Sequence, residues 1–517
     1  MLGLAGKLFQ EKQKELFFEL PPPRFPLLWS HVQKGDISMV DYAYAEKAEN
    51  EEQAALLCAV MASAREGHLR FNLEDPIDFV ELVKRGAKSY SGSSLVQSGD
   101  NFYLKRNWAY ETQFIEQLER LRRAPVREVP LPTLASELTE EQREAIARAL
   151  KHPISLIIGG PGTGKTFTAL HLATAFLETT KRKRLILTAP TGKAAAHLDK
   201  NFELDAEVRC GTLHSLLRKE SLSADLIIVD ECSMIDVRLF VTLLSSIPEG
   251  AHLVLMGDPD QLPPVETGSF FVDLVEAVKQ GYPLAQTELT RCLRSDRAEI
   301  LNLSWALKTN DEKKLLEGLS FIDLGLDSPR FYPALWEHVK EEFSFLHKMA
   351  DPHELFEQLD QFCILCSLRQ GPFGVDSINE FLYQKIKGSA LPILILQNDY
   401  EKELYNGEIG LLIGQEAFFR GREGALRQFK ASLLPAFDYA FALSVHKSQG
   451  SEFERILLLI PEGSEIFGRE GLYTALTRAK TSLQVDGQEK IILEAIKKTS
   501  RKKSGVCERL FEEGVPI

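Results

Sequence analysis

The sequence predicts an α/β protein with two regions of parallel sheet, a helical N-terminal segment and a small β insertion. Between about residues 138 and 290, short and fully apolar runs alternate with helix-length segments. A second alternating region extends from about 362 to 487 and is interrupted by a stretch whose pattern is that of strands around a turn. Fully apolar strands separated by helices imply parallel sheets that are covered on both faces.

The individual runs place the strands. The first region contains ISLIIGG, RLILTAP, ADLIIVDE and AHLVLMGD, and the second contains FCILCSL, FALSVHK, RILLLIP and SLQVDG. Between them, LPILILQNDYEKELYNGEIGLLIG (391–414) predicts two strands around a turn at Asn406–Gly407. Residues 1–120 are mostly helical in pattern, and the three prolines of APVREVPLPTL (124–134) indicate a linker. The predicted boundaries are 1–123 for the N-terminal domain, 124–137 for the linker, 138–288 for the first sheet region, 289–390 with 436–517 for the second, and 391–435 for the insertion.

Composition limits the class of protein. With 44% hydrophobic and 26% charged residues, the 517-residue chain is typical of a soluble globular protein. No apolar run reaches the ~18 residues that span a bilayer, and Glu and Lys interrupt the apolar start MLGLAGKLFQEKQKELFFEL, so we expect neither a membrane anchor nor a signal peptide. The scattered cysteines fit a reducing cytoplasm. A net charge of −13 argues against a protein that simply coats DNA, although a motor that grips a few phosphates can be acidic overall.

The seven cysteines are scattered and odd in number, which does not suggest a disulfide framework. Cys363 and Cys366 have C-x-x-C spacing but no second pair that would complete a zinc site. They lie in the apolar run FCILCSL, so a buried strand is the favoured interpretation.

The string GGPGTGKT follows an apolar run and precedes a helical pattern, which is the context of a phosphate-binding loop. Glycines let backbone N–H groups approach phosphates, and the following helix N-terminus favours negative charge. Lys165 would neutralise the terminal phosphates of ATP, and the Thr166 hydroxyl would bind Mg²⁺. The predicted nucleotide-binding residues of the loop are Gly159, Gly160, Pro161, Gly162, Thr163, Gly164, Lys165 and Thr166.

Two acids follow the strand LIIV. Asp230 would hold the Mg²⁺ shell and Glu231 would polarise the attacking water, whereas the structural alternative is a pair that caps the next helix. In GDPDQLP, the uncharged amide of Gln261 can sense the γ-phosphate or the attacking water. Upstream, the Gln142 amide can pair with the N6/N7 edge of adenine, although taken alone it would be read as a surface residue.

The second sheet region supplies cations. A transferring γ-phosphoryl group needs positive charge in its transition state, and Arg294 in LTRCLRS and Arg478 in YTALTRAK lie outside the first sheet region. Arginines from a second lobe would make hydrolysis depend on lobe closure, which is how a motor couples chemistry to motion.

The combined motifs resemble those of the superfamily 1 helicases, and within them the RecD group. Over about 138–490 they occur in the family's order: LTEEQ, GGPGTGKT, TAPTGKAA, GTLH, IIVDECSM, GDPDQLPPVETG, LTRCLRS, SVHKSQGSEF and LYTALTRA. The resemblance implies two RecA-like lobes of the P-loop NTPase fold, with an SH3-like barrel as the β insertion. It also implies movement 5′→3′ on single strands.

Further site residues follow from the resemblance alone. It implies that Gly450 and Glu452 face the nucleotide and that Arg294 and Arg478 are the two γ-phosphate arginines. The positions that match the family's DNA contacts are Thr191, Lys193, Thr212, His214, His446 and Ser448. EEQAALLCAVMASAREGHLRFNL (51–73) and FYLKRNWAYETQFIEQL (102–118) are similar to the N-terminal region that docks RecD onto RecC, although ordinary helical packing would produce such patterns too.

The expected function is therefore an ATP-dependent 5′→3′ DNA helicase and single-strand translocase. The resemblance implies a subunit of a RecBCD-type exodeoxyribonuclease V that acts with RecB-like and RecC-like partners at double-strand DNA ends, in break repair and recombination. Only SLLRKESLSA separates His214 from Asp225, which predicts a reduced strand-splitting pin. We expect nuclease activity only from a partner. The alternatives are a free-standing 5′→3′ helicase and a regulatory subunit whose nucleotide site is only a sensor.

Overall fold

The computed structural model describes residues 23–92, 94–126, 129–179, 184–201, 208–218, 222–291, 298–348, 351–399, 401–421 and 425–513. By its internal contacts the chain divides into two units. One comprises Met1–Gln113, Val265–Gly268 and Lys502–Gly505. The other comprises Phe114–Pro264, Ser269–Arg501 and Val506–Ile517, so both predicted sheet regions and the insertion belong to it.

The first unit combines helices with a small antiparallel sheet. Its helices are Pro26–Lys34, Met39–Ala45, Glu51–Arg65 and Val80–Ser89, and the boundary between the units falls within a further helix, Lys105–Arg123. Its strands pair in the order β1 (Arg70–Asn72), β3 (Asn101–Leu104) and β2 (Leu95–Ser98). The sequence predicted mostly helix here. It gave no sign of the sheet, because strands of three or four residues are too short to show a periodicity.

The close packing of two helices in this unit depends on one glycine. A Cβ atom at Gly86, in the helix Val80–Ser89, would lie 2.0 Å from the carbonyl oxygen of Glu52. We expect Gly86→Ala to push the helices apart and to lower the free energy of unfolding by about 2 kcal/mol. Thermal melting of the full chain measures this, with Lys84→Ala on the exposed side of the same helix as the control. Equal melting temperatures for the two variants would contradict the packing argument.

The first parallel sheet of the second unit forms where the apolar runs predict it. Across the described residues its strand order is β6-β5-β7-β8-β4-β9, and every neighbouring pair is parallel. All residues of β4 and β8 are buried, which explains their unbroken apolar sequences. The strands are β4 (Ile154–Gly159), β5 (Leu185–Ala189), β6 (Val208–Thr212), β7 (Leu226–Val229), β8 (His252–Gly257) and β9 (Ala285–Leu289). The accompanying helices are Glu140–Lys151, Lys165–Thr179, Gly192–Asn201, Leu213–Leu216, Val237–Ser246 and Phe270–Lys279.

A second parallel sheet has the order β10-β19-β18-β11-β17 in the part of the chain that the structure describes. These strands are β10 (Ser320–Phe321), β11 (Phe362–Cys366), β17 (Ala442–Ser444), β18 (Phe453–Ile460) and β19 (Ala479–Gly487). The helices around it are Ala298–Lys308, Glu312–Gly318, Phe331–Val339, Pro352–Leu359, Val375–Ile386, Val445–Ser448, Gly468–Leu476 and Glu489–Lys497. The last helix, Val506–Glu513, packs instead against the helix Phe270–Lys279 of the first sheet. We refer to the two parallel sheets with their helices as the first and the second lobe. The two-lobed α/β class predicted from the sequence is thus confirmed.

The insertion is an antiparallel sheet. Its described strands pair in the order β15-β14-β13-β12-β16, and the Glu408 N–H donates to the Tyr405 carbonyl at 3.0 Å across the predicted Asn406–Gly407 turn. The strands are β12 (Leu391–Ile395), β13 (Ile409–Ile413), β14 (Glu416–Arg420), β15 (Leu426–Lys430) and β16 (Phe437–Tyr439). β16 lies beyond residue 435, where the insertion was predicted to end. It belongs to the sheet of the insertion because it pairs with β12. An SH3-like closure of this sheet stays a prediction.

Two predictions about the class of protein can be compared with this fold. No helix in the described part of the chain is long and apolar enough to cross a membrane. Cys363 and Cys366 are buried in β11 as free thiols, which confirms the core-strand interpretation of their spacing. Burial raises the pKa of the Cys366 thiol to about 12, so this thiol is un-ionised and unreactive at neutral pH.

Candidate functional site

The phosphate-binding loop joins β4 to the helix Lys165–Thr179 at the carboxyl edge of the first sheet. Gly162 and Gly164 have φ angles of 75° and 82°, which other residues adopt only with strain. A Cβ atom at Gly159 would lie 2.7 Å from the Thr163 hydroxyl oxygen. The loop therefore needs its glycines for both conformation and space, as a loop that wraps phosphates does.

Lys165 lies over this loop. Its Nζ donates to the carbonyl oxygens of Gly159 at 2.7 Å and Gly160 at 3.1 Å. These bonds hold the ammonium group in the concave side of the loop, where it can transfer to a phosphate oxygen when a nucleotide binds. The structure thus places Lys165 where the sequence motif predicts it.

Thr166 and Asp230 meet beside the loop. The Thr166 hydroxyl donates to the Asp230 carboxylate Oδ2 at 3.3 Å, and Asp230 Oδ1 accepts the Glu231 N–H at 2.8 Å. Burial raises the pKa of Asp230, although the nearby Lys165 ammonium opposes this. A hydroxyl and a carboxylate are hard oxygen donors of the kind Mg²⁺ takes, so this pair fits a magnesium site.

Glu231 is strained and has an unpartnered carboxylate oxygen. Its φ angle is 53°, in the left-handed region that is uncommon for a non-glycine residue. Its Oε2 is buried without a hydrogen-bond partner. Burial first, and then the negative charge of Asp230, raise the pKa of its carboxyl, whereas the charges of Lys165 and Arg478 lower it. Strain and an orphaned acceptor at one residue are typical of a group held for catalysis rather than for stability.

Gln142 has a structural engagement that sequence reasoning did not predict. It is 1% exposed, and its amide oxygen accepts the Thr139 N–H at 3.0 Å, which closes a capping box at the start of the helix Glu140–Lys151. Its amide nitrogen donates to the Thr163 carbonyl at 3.3 Å. The side chain therefore supports the phosphate loop through its hydrogen bond to Thr163. Pairing with adenine would require it to give up one of these two bonds.

The segment GDPDQLP brings a second set of groups to the loop. Gln261 is 4% exposed, and its Oε1 is buried without a partner. Asp258, which sequence reasoning missed, is fully buried, and its carboxylate accepts a hydrogen bond from the Tyr473 hydroxyl of the second lobe at 2.9 Å. In the sequence, Tyr473 is one more apolar position of a helix, and no local signal links it to a residue 215 positions away.

Of the two predicted arginines, Arg478 is described. It is 3% exposed, and its Nε and Nη1 donate to the carbonyls of Thr474 at 3.2 Å and Ser451 at 3.1 Å. Its charge lowers the pKa of Glu231, while that of Glu452 raises it, so residues of the second lobe act electrostatically on the acid of the first. Gly450, beside Glu452, has a φ angle of 72°. Arg294 lies outside the described residues.

Four of the predicted DNA contacts lie at helix starts or on the surface. The hydroxyl oxygens of Thr191 and Thr212 accept the N–H groups of Ala194 at 3.3 Å and Ser215 at 3.2 Å and cap short helical segments. His214 and His446 are exposed. Exposed polar groups at a helix start suit phosphate oxygens, which carry no sequence information, but Thr212 is only 7% exposed.

Two of the predicted DNA contacts do not fit this arrangement. Ser448 is fully buried, and its hydroxyl donates to the Val445 carbonyl at 2.8 Å within its own helix. The Lys193 amine donates to the Ser451 hydroxyl, and Lys193 lines a partly open pocket of about 330 Å³. Burial lowers the pKa of this amine to about 8. Motif order assigned both residues to DNA, whereas Ser448 is buried and the Lys193 amine bonds a residue of the second lobe.

The chain is similar to known proteins over most of its length. Residues 137–323 match the AAA domain family, and residues 439–485 match the UvrD-like helicase C-terminal domain family. The RecBCD enzyme subunit RecD of Mycolicibacterium smegmatis is 33% identical over 466 residues, which cover 81% of this chain and 83% of that protein. Its counterpart in Mycobacterium tuberculosis is 30% identical over 93% of this chain and 95% of its own length. The ATP-dependent RecD2 DNA helicase of Deinococcus radiodurans is 29% identical, but the match covers 66% of this chain and 48% of that protein.

Proposed function

The chain belongs to the RecD family of RecBCD enzyme subunits, and we propose that it is an ATP-dependent helicase that moves 5′→3′ on single-stranded DNA within such a complex. The observation that supports the proposal best is that groups of both lobes meet at the phosphate loop, where the Tyr473 hydroxyl of the second lobe donates to Asp258 of the first at 2.9 Å. The acid Glu231 of the first lobe lies in the field of both Lys165 and Arg478, and the second lobe supplies Arg478. A nucleotide site built from two lobes changes shape when its phosphates are bound or released, and that is the requirement for a motor.

The nucleotide would be held mainly by the first lobe. The loop amides and Lys165 would bind the β- and γ-phosphates, and Gln142 would support the loop through Thr163. Thr166 and Asp230 would hold Mg²⁺, whose charge would offset that of the phosphates during hydrolysis. The phosphate loop, Lys165 and the Thr166–Asp230 pair lie at the carboxyl edge of one sheet, which is where ligands of such sheets bind.

Hydrolysis would need groups from both lobes. The unpartnered Oε2 of Glu231 is free to accept a hydrogen bond from the attacking water. The unpartnered Oε1 of Gln261, three residues after Asp258, offers a second acceptor. Arg478 would donate to the γ-phosphate after leaving one of its two backbone carbonyls, and Arg294 is the proposed second γ-phosphate arginine.

Single-stranded DNA would be gripped without regard to sequence. Thr191, Thr212 and His214 from the first lobe and His446 from the second are the candidate contacts to the DNA backbone. Opening and closing of the nucleotide site would move these two sets of contacts relative to one another. Lys193 would join them only if its bond to Ser451 broke during the cycle.

The assembly would contain RecB-like and RecC-like subunits, and the complex would act at double-strand DNA ends in the cytoplasm. Both mycobacterial relatives carry the name of a RecBCD subunit, and their matches cover most of either chain. We assign residues 1–123 to partner docking and residues 124–137 to the connection with the motor. The match to the RecD2 helicase covers under half of that protein, which favours the RecBCD subunit over the free-standing helicase.

The proposal is tested first by ATP hydrolysis of the purified full chain, with and without a single-stranded oligonucleotide. We expect single strands to raise kcat, because a translocase hydrolyses ATP productively only when both lobes grip DNA. A streptavidin-displacement assay then gives the polarity: a 5′→3′ motor displaces streptavidin from a 3′-biotinylated strand and not from a 5′-biotinylated one.

The outcomes separate the alternatives. Displacement from the 5′ end would contradict the polarity. ATP binding without hydrolysis, alone and after addition of RecB-like and RecC-like subunits, would support a nucleotide-sensing regulatory subunit instead. Unwinding of duplex DNA by the chain without partners would support a free-standing helicase.

A further inference from the structure

A phenol–carboxylate hydrogen bond joins the two lobes next to the phosphate loop. Tyr473, on the helix Gly468–Leu476 of the second lobe, donates from its hydroxyl to Asp258 Oδ2 at 2.9 Å. Tyr473 is 2% exposed and Asp258 is fully buried. A buried carboxylate is costly unless it is hydrogen-bonded, so the Tyr473 hydroxyl is a substantial part of what makes Asp258 tolerable there.

The same hydroxyl lies against the phosphate loop. A Cβ atom at Gly160 would lie 3.2 Å from the Tyr473 hydroxyl oxygen, which is tighter than ordinary van der Waals contact. Glycine at this position therefore allows a side chain of the second lobe to reach the loop. The Lys165 ammonium in turn lowers the pKa of Asp258 against the effect of its burial, so the two charged groups are electrostatically coupled.

Asp258 also shapes the turn that carries Gln261. Its Oδ1 accepts the Asp260 N–H at 3.1 Å, and its carbonyl accepts the Gln261 N–H at 3.3 Å. Such an aspartate turn fixes the backbone that follows it. One carboxylate oxygen is thus bound to the turn and the other to Tyr473, so the hydroxyl determines how Asp258 and the turn lie relative to the loop.

Neighbouring contacts hold the two lobes together without this bond. The Leu262 N–H donates to the Thr474 hydroxyl oxygen at 2.8 Å, and the Gln449 amide donates to the Leu262 carbonyl at 3.1 Å. The Lys308 ammonium bonds Asp260 at 2.7 Å and lies 5.0 Å from the centre of the Tyr473 ring. Replacing tyrosine by phenylalanine would keep the ring and these contacts and would remove only the bond to Asp258.

We propose that Tyr473 is a positioning residue for ATP hydrolysis, which holds Asp258 and the Gln261 turn against the phosphate loop when the lobes are closed. The inference rests on the proposed function and adds a residue that links the second lobe to the γ-phosphate side of the site. Tyr473 touches no reacting atom and acts through Asp258. Its loss should therefore slow the hydrolytic step and leave ATP binding intact.

The test is Tyr473→Phe in the full chain, with Tyr282→Phe as the matched control. Tyr282 is also 2% exposed, and its hydroxyl also donates to a carboxylate, that of Glu119, whose other partners include Arg122. We expect Tyr473→Phe to lower the DNA-stimulated kcat about tenfold, with the KM for ATP changed by less than about twofold. Tyr282→Phe should match the unmodified chain in both constants. The shift in melting temperature on adding a non-hydrolysable ATP analogue should be the same in all three proteins.

Three results would overturn the inference. Equal kcat values for Tyr473→Phe and Tyr282→Phe would remove the positioning role while leaving the proposed function in place. A rise in KM with unchanged kcat, or a lost thermal shift, would make Tyr473 part of nucleotide binding instead. An unmodified chain without DNA-stimulated hydrolysis, alone and with its partner subunits, would overturn the proposed function and this inference together.

Discussion

Lys165→Gln is expected to lower the rate of ATP hydrolysis by roughly 10³-fold, the largest loss from any single change at this site. The Lys165 ammonium is held by the Gly159 and Gly160 carbonyls at 2.7 and 3.1 Å, so it is already placed for the β- and γ-phosphates. Glutamine can donate a hydrogen bond but carries no charge, and negative charge is what the transition state develops. Initial-rate hydrolysis with single-stranded DNA measures the loss.

Lys151→Gln provides the matched control, because Lys151 is an exposed residue at the end of the helix Glu140–Lys151. We expect it to hydrolyse ATP at the unmodified rate. Binding should separate the two variants as well, since Lys165→Gln should weaken the thermal shift caused by ATP whereas Lys151→Gln should not. A Lys165→Gln protein with near-normal hydrolysis would mean that the loop is not the catalytic nucleotide site.

The sequence was most informative where a local pattern reports its own environment. The strands β4, β7 and β8 are buried along their whole length, so each appears as an unbroken apolar run. The glycines of the phosphate loop can likewise be recognised in the sequence, because their positive φ angles and tight contacts exclude other residues. In both cases the physical demand falls on consecutive residues.

The sequence did not predict the role of a residue where that role depends on partners far away in the chain. Tyr473 and Asp258 both lie within recognised motifs, but they are separated by 215 positions and no local pattern shows that they pair. Ser448 and Lys193 occupy positions that motif order assigns to DNA, yet packing buries the first and turns the second towards Ser451. Similarly, β16 is recognised as part of the insertion only through its pairing with β12.

In the nucleotide site, too, residue types could be predicted from the sequence whereas their conformations could not. The residue types at Asp230 and Glu231 predict a magnesium ligand and a base, but no pattern predicts that Glu231 adopts a φ angle of 53°. That conformation separates two adjacent carboxylates, so that Asp230 bonds Thr166 while Glu231 Oε2 is left without a partner. The difference between the two acids is therefore a property of the fold, and it leads to a distinct expectation for each.

Glu231→Gln is expected to lower kcat by about 10²–10³-fold while ATP binding is retained. Glutamine has the same shape and can adopt the same backbone conformation, but its amide cannot take a proton from the attacking water. Burial and Asp230 raise the pKa of the Glu231 carboxyl, so this base becomes protonated at a higher pH than an ordinary glutamate does. As the pH is lowered, kcat of the unmodified protein should therefore begin to fall at a higher pH than an ordinary glutamate would give. Glu276→Gln, on the exposed face of the helix Phe270–Lys279, is the control.

The same substitution should raise the melting temperature. An acid whose pKa is higher in the folded than in the unfolded state destabilises the fold at every pH above the folded pKa, and the penalty disappears below the unfolded pKa. At neutral pH Glu231→Gln removes that penalty, so a less active protein should be the more stable one, as expected when strain and buried charge are retained for chemistry. At pH 4 the two melting temperatures should converge. A variant that is inactive and also less stable at neutral pH would indicate that Glu231 supports the fold and is not the base.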